Sequence, residues 1–284
     1  MPTDPPALEL ASSGARSTLD EGEITFIGTA TVLLRYGGFT ILTDPNFLHA
    51  GEHAYLGLGV RSKRLTEPAM SIEELPPLDL IVLSHHHGDH FDDVAARLLD
   101  KDVPIVTEPH SAKKLASQGF RHPIALETWQ TQLVTKGTDT LRITSMPGKH
   151  APQLIGALLP PVMGSMLVFE DAGGVAFQLY VTGDTLLHER LEEIPRRYPV
   201  IDLCLIHLGG TRIGGILLTM DAAQGVEALR LVRPTGAVPI HYEDYAVFKS
   251  PLADFLTAAS AAELTTVIHA VARGETHRFT RTAR

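Results

Sequence analysis

The sequence predicts an α/β protein, and three observations carry that prediction. Apolar runs of strand length alternate with segments whose apolar residues recur at helical spacing. Turns rich in Gly and Pro separate them, with no long linker and no repeat at a solenoid period. The densest chemical stretch, Ser84-His85-His86-His87-Gly88-Asp89-His90, falls between an apolar run and a helical one. That junction is where α/β proteins commonly place their working residues.

Taken in order, residues 1–21 are rich in Pro, Ser, Ala and Gly and are expected to form a mobile arm or a loosely packed cover. Ile24–Gly28, Thr31–Tyr36 and Phe39–Thr43 read as three strands, the last two joined by a tight Gly37-Gly38 turn. A long connection follows, from residue 46 to 79, and such loops are more often functional than idle. Leu80–Leu83 reads as a buried strand and Phe91–Leu99 as a helix with Phe91, Val94, Ala95, Leu98 and Leu99 on one face. Strands are then expected at 103–106, 138–146, 165–169, 175–182, 201–206, 237–240 and 264–270, and helices at 111–118, 186–193, 221–230 and 252–259. With no linker to divide it, the chain from 22 to 284 is expected to be one domain.

Composition narrows the function classes. A formal charge of −9 argues against nucleic acid, which needs a basic patch. Cys204 is the only cysteine, so no intrachain disulfide forms. It lies in the apolar run Ile201–Ile206 and reads as an inert buried thiol. A reducing compartment and the lack of a basic-then-apolar leader give a cytoplasmic expectation. No run is long and apolar enough to span a bilayer.

The histidine cluster supplies the chemistry. His85 and His87 are two apart, so extended backbone projects them to one side, where they can chelate one ion. Gly88 lets the chain turn, and Asp89 and His90 can reach a second ion. Imidazole and carboxylate suit zinc, manganese or iron, and no thiolate is present to favour a softer metal.

His85-x-His87-x-Asp89-His90 matches the H-x-H-x-D-H motif, and on it the chain resembles the metallo-β-lactamase fold superfamily. Gly28-Thr29-Ala30-Thr31 and Leu42-Thr43-Asp44-Pro45 are similar to the opening of its branch containing ascorbate-6-phosphate lactonase and N-acylphosphatidylethanolamine phospholipase D. That branch often carries His where this chain has Thr29. The resemblance implies a four-layer α/β/β/α sandwich. It also implies that His150, Asp184 and His241, each at a strand end, complete the ligand set. His85, His87 and His150 would hold one ion, Asp89, His90 and His241 the other, and Asp184 would bridge them. Asp44 is a candidate for orienting a ligand imidazole, with Ser84 and Thr182 able to serve similarly. His207 stands where relatives have Pro, and a hydrogen-bonded structural histidine is the favoured reading.

The expected cofactor is two divalent ions, Zn2+ ahead of Mn2+ and both ahead of iron. The expected activity is a metal-dependent hydrolase in which a metal-bound hydroxide attacks a phosphodiester or a lactone or other ester, with Asp89 also orienting the water. The alternatives are an iron-dependent redox enzyme on the same fold and a non-catalytic metal-binding protein. The expected partner is a small molecule, with oligomerisation left open. Within the long connection, Phe47, Leu48, Tyr55, Leu56 and Leu58 beside Arg61, Lys63 and Arg64 suggest a substrate with an apolar part and an anionic head.

Overall fold

Apolar strands need an apolar surface to cover them, and here two sheets cover each other. The computed structural model describes residues 3–12, 18–57, 59–151, 159–171 and 173–281, and the elements below belong to these. The first half gives β1 Leu8–Leu10, β2 Glu21–Gly28, β3 Thr31–Tyr36, β4 Phe39–Thr43, β5 His53–Tyr55, β6 Arg61–Lys63, β7 Leu80–Val82, α1 Asp93–Leu98, β8 Ile105–Thr107, α2 Pro109–Ser117 and β9 Pro123–Ala125. β2, β3 and β4 form an antiparallel meander. β7, β8 and β9 continue it in parallel, because the chain returns through long connections and helices rather than hairpins. α1 begins where Asp92 Oδ1 accepts from the Ala95 N–H at 2.7 Å. α2 begins with Pro109 in its first turn and Glu108 accepting from the Ser111 N–H at 2.6 Å.

The second half gives β10 Thr131–Lys136, β11 Asp139–Pro147, β12 Met163–Asp171, β13 Gly174–Val181, a 3-10 turn at Glu189–Glu192, α3 Glu193–Arg197, β14 Leu203–His207, β15 Arg212–Ile213, β16 Ile216–Leu217, α4 Ala222–Val232, β17 Gly236–Ile240, α5 Leu252–Ala261, β18 Val267–Ile268 and β19 Thr276–Thr280. One sheet runs β19-β2-β3-β4-β7-β8-β9 and the other β1-β10-β11-β12-β13-β14-β17-β18.

Strand alternation then builds the layers. Val32 and Leu34 point into the space between the sheets and meet Leu141, Leu167, Leu179 and Val238 of the second sheet. Leu33 points the other way and joins Ala95 and Leu115 beneath α1 and α2. On the far side, Met166, Cys204 and Ala237 pack beneath Leu229 of α4 and Phe255 of α5. The order is helix, sheet, sheet, helix, as the resemblance implied.

Several elements differ from expectation. β10 and β19 form in segments to which the sequence reading assigns no element, and the loop from 46 to 79 contains the β5–β6 hairpin. The helix expected at 186–193 is a 3-10 turn leading into α3. Within the stretch read as an arm, Leu8–Leu10 pairs in parallel with Val134–Lys136, and Thr131 N donates to Asp4 Oδ1 at 2.8 Å. That described part is a packed cover, and residues 1–2 and 13–17 of the arm lie outside the described residues.

Candidate metal centre

Each side chain singled out for metal sits where a strand has just ended. His85 to His90 follow β7, His150 follows β11, Asp184 follows β13 and His241 follows β17. Asp44 follows β4, and His207 is the last residue of β14. Carboxyl ends of strands from both sheets therefore converge, and the candidate donors arrive from four separate segments. Close approach needs special backbone. Gly183 adopts φ +64°, and an added Cβ there would lie 2.6 Å from the Met163 carbonyl oxygen. Thr29, Asp44 and His241 take left-handed backbone without being glycine, at φ +52°, +37° and +62°. Hydrogen bonds hold them there: His241 N donates to Thr29 O at 2.6 Å, and Thr31 Oγ1 donates to Asp44 O at 2.7 Å.

Two adjoining donor sets result. In the first, His85 Nε2 lies 2.9 Å from His87 Nδ1, which lies 3.1 Å from His150 Nε2. Nitrogens bound tetrahedrally to one zinc stand about 3.3 Å apart, given Zn–N distances near 2.0–2.1 Å. His150 Nδ1 is 3.2 Å from the Leu218 carbonyl, to which it donates, so its Nε2 keeps a free lone pair. In the second set, Asp89, His90, Asp184 and His241 each offer an atom, all within 4.8 Å of one another. His90 Nε2 is 3.2 Å from Asp184 Oδ2, and His241 Nε2 is 3.5 Å from Asp89 Oδ2. His241 Nδ1 donates to the Leu208 carbonyl at 3.1 Å, which again frees Nε2. The His85 and His90 rings, 4.2 Å apart, join the two sets.

The donors fit a cation on a direct test. Asp89 Oδ1, Asp184 Oδ1, His90 Nε2 and His241 Nε2 are buried and have no hydrogen-bond partner. Buried polar atoms are rarely left so unless something else satisfies them. Electrostatics agree. Burial and neighbouring imidazoles hold His85 well below the ordinary imidazole range, and burial with His150 takes His87 to about 3, so both stay neutral donors. Burial also lowers His150. Burial would lower His90 and His241 too, but Asp184 and Asp89 outweigh it and raise both. That half of the cluster draws positive charge, which a metal ion supplies as well as protons do.

Asp44 backs the second set. It accepts from Ser84 N at 2.8 Å and Ser84 Oγ at 2.9 Å, and its Oδ1 lies 3.6 Å from His90 Nδ1. Burial favours its neutral form, yet His90 and His207 outweigh that and bring it down to about 2. His207 Nε2 stands 3.5 Å from Asp44 Oδ2, while His207 Nδ1 meets Thr182 Oγ1 at 3.2 Å. Ser84 and Thr182 thus both touch the ring of polar groups around the ligands. Sequence reasoning missed the contact between His207 and Asp44, residues 163 positions apart in a chain whose spacing carries no sign of it. It also missed the Leu208 and Leu218 carbonyls, which no side-chain pattern marks.

Other histidines stand apart. His86 turns away from the cluster to Gln118 Oε1 at 2.9 Å and packs on Phe91. One basic residue needs correction. Arg64 is fully buried, donating through Nε to Thr66 O at 2.9 Å and through Nη1 to Asn46, beside the Tyr245 ring. It is a structural cation and has no face for substrate.

Comparison with known proteins places this geometry among relatives. A family model described as a beta-lactamase superfamily domain matches residues 40–242. A metal-dependent hydrolase of Anaeromyxobacter sp. is 26% identical over 235 residues, 81% of this chain and 78% of that protein. The mitochondrial N-acyl-phosphatidylethanolamine-hydrolyzing phospholipase D of Saccharomyces cerevisiae is 33% identical over 128 residues, 44% of this chain and 26% of that protein. The crystal structure of isothiocyanate hydrolase from Delia radicum gut bacteria superposes with a TM-score of 0.75 at 22% identity, covering 91% of this chain and 99% of that one. At that identity the likeness speaks for the fold. Among the described residues no helix is long and apolar enough to cross a membrane.

Proposed function

This chain belongs to the beta-lactamase superfamily, as a metal-dependent hydrolase, and we propose that it cleaves a phosphodiester, or a lactone or other ester, with two divalent cations. In this reading His85, His87 and His150 would hold one cation and Asp89, His90 and His241 the other, with Asp184 available to both. The observation that carries the reading is the pair of adjoining buried donor sets, in the second of which Asp89 Oδ1, Asp184 Oδ1, His90 Nε2 and His241 Nε2 have no hydrogen-bond partner. Residues 22–284 act as one hydrolase domain, a reading supported by an apolar cluster that draws on both sheets. Zn2+ is the first choice and Mn2+ the second, on the imidazole-rich donor set.

Such cations, when bound, supply Lewis acidity and lower the pKa of water toward neutrality. The chain's own residues do the rest. The Leu218 and Leu208 carbonyls fix the tautomers of His150 and His241, and Asp44 orients His90. In this reading Asp89, beside the other donors of the second set, also orients the attacking water. A phosphodiester is the first substrate to try, because the yeast relative named above acts on one by its name.

The test is elemental analysis of protein purified without chelator, followed by a panel of bis(4-nitrophenyl) phosphate, aryl acetates and simple lactones. About two ions per chain and turnover of at least one class, lost in Asp184→Asn, are expected. Less than half an ion per chain after reconstitution with zinc or manganese would end the two-cation reading.

A further inference from the structure

A cavity of about 330 Å3 abuts the metal centre on one side only. That volume falls at the lower end of small-molecule sites, which run about 300–1,000 Å3. Its floor includes His87 and Gly88, and much of its wall comes from two elements that contribute nothing to the donor sets, the β5–β6 hairpin and α2. Of the candidate metal donors, His87 is the one that lines this cavity. His85, His90 and His241 are 0% exposed, whereas His87 and His150 are 6% and 7% exposed. A molecule seated in the cavity therefore lies against the edge of the cluster that solvent reaches.

The walls carry two cations without ion-pair partners. Arg61 and Lys114 are both exposed, both line the cavity, and neither has a carboxylate within ion-pair distance among the described residues. Other cations of the chain do pair, as Lys136 does with Asp79 at 2.7 Å and Arg142 with Glu170 at 2.9 Å. Two carboxylates share the wall. Asp92 is buried and occupied, accepting from the N–H groups of Ala95, Phe47 and Leu48, with Arg64 nearby. Asp93 lies in the first turn of α1, where the helix dipole already favours it. The free positive charge thus exceeds the free negative charge. Leu48, Ala54 and Phe91 give the remaining wall an apolar character.

We propose that this cavity recognises the substrate, and that it takes a small molecule with an apolar body and an anionic group held by Arg61 and Lys114. The inference rests on the metal-centre reading above for its catalytic meaning, but the recognition itself is measurable without turnover. Of the three basic residues that the sequence singled out, only Arg61 takes part. Arg64 is buried, and Lys63 shares the hairpin face but lies outside the cavity wall. Lys114 comes from a helix about fifty residues further on.

The experiment measures binding of benzenesulfonate and of its neutral counterpart, methyl phenyl sulfone, to metal-loaded protein by titration calorimetry or ligand-observed NMR. Both changes lie on exposed side chains, so Arg61→Gln/Lys114→Gln should fold normally. The double variant should weaken sulfonate binding about tenfold or more, as expected for losing charge-assisted contacts, and leave the sulfone unchanged. Lys113→Gln, on the adjacent exposed residue outside the cavity, should change neither. Equal loss for both probes, no loss for either, or no sulfonate binding in wild type would each overturn the proposal. Selective sulfonate binding with no ester cleaved by metal-loaded enzyme would leave the cavity standing and sink the hydrolase reading. Cleavage of neutral esters with no anion preference would do the reverse.

Discussion

Gly88 offers the sharpest single-residue test of how the hairpin is mounted on the metal loop. Its N–H donates to the Tyr55 carbonyl at 2.9 Å, and an added Cβ would lie 2.7 Å from Tyr55 N and 2.9 Å from Tyr55 O. Both are backbone atoms of β5 and cannot swing aside as a side-chain tip could. To accept a methyl group, the hairpin and the loop must part by roughly half an ångström. Overpacking of this kind costs about 1–3 kcal/mol, and a strained or lost hydrogen bond adds about 1 kcal/mol. Gly88→Ala should therefore lower stability by about 2–4 kcal/mol, measured by urea denaturation in the metal-loaded protein. Gly59→Ala is the control on the same hairpin. Gly59 has positive φ, +80°, but nothing lies within 4 Å of its added Cβ. It should cost only the backbone strain, at the low end of about 1–3 kcal/mol. A rule based on φ alone predicts the opposite order, since Gly88 is not in the left-handed region. If Gly59→Ala proves the more damaging change, the steric account of the mount is wrong.

The remaining predictions concern the donors and the core. His87→Ala should lose bound metal and activity, whereas His86→Ala should keep both and lose about 1–2 kcal/mol of stability with its Gln118 contact; equal metal loss in two folded variants would show that the register of the motif is misassigned. Chelator treatment should lower the unfolding midpoint, because bound ions stabilise only the folded chain, and a midpoint indifferent to chelator would contradict buried ligation. Cys204 is buried and its thiol is pushed well up by that burial. It should react with a disulfide reagent only as fast as the protein unfolds, and rapid labelling of the native state would refute this.

The sequence made some of this architecture legible and hid the rest for physical reasons. β3 and β4 are mostly apolar and β-branched and bracket two glycines, so local pattern alone delimits them. β10 is Thr-Gln-Leu-Val-Thr-Lys, a polar-looking segment whose Gln132 is buried and donates to Pro6 O at 2.9 Å. Its strand character comes from partners far away in the chain. The same contrast holds in the site. The histidines at 85, 87 and 90 announce themselves by spacing, while His150, Asp184 and His241 gain meaning only from the order that the family resemblance supplied. Arg64 misled because its charge is visible in the sequence and its burial is not: Asn46 and Tyr245, which enclose it, lie 18 and 181 residues away.

Thr29, Asp44 and His241 hold backbone shapes that cost free energy; Thr29 and Asp44 border the donor sets and His241 belongs to one. Residues that aim the candidate ligands thus also carry backbone strain. Any search for a hardier variant, by selection under heat or by design, should be drawn to them, since glycine at Thr29 relieves the strain at once. Each such relief frees the chain beside His241, whose N–H is held by the Thr29 carbonyl. Robustness and aim are therefore set at the same addresses, and a lineage that gains one there gives up part of the other.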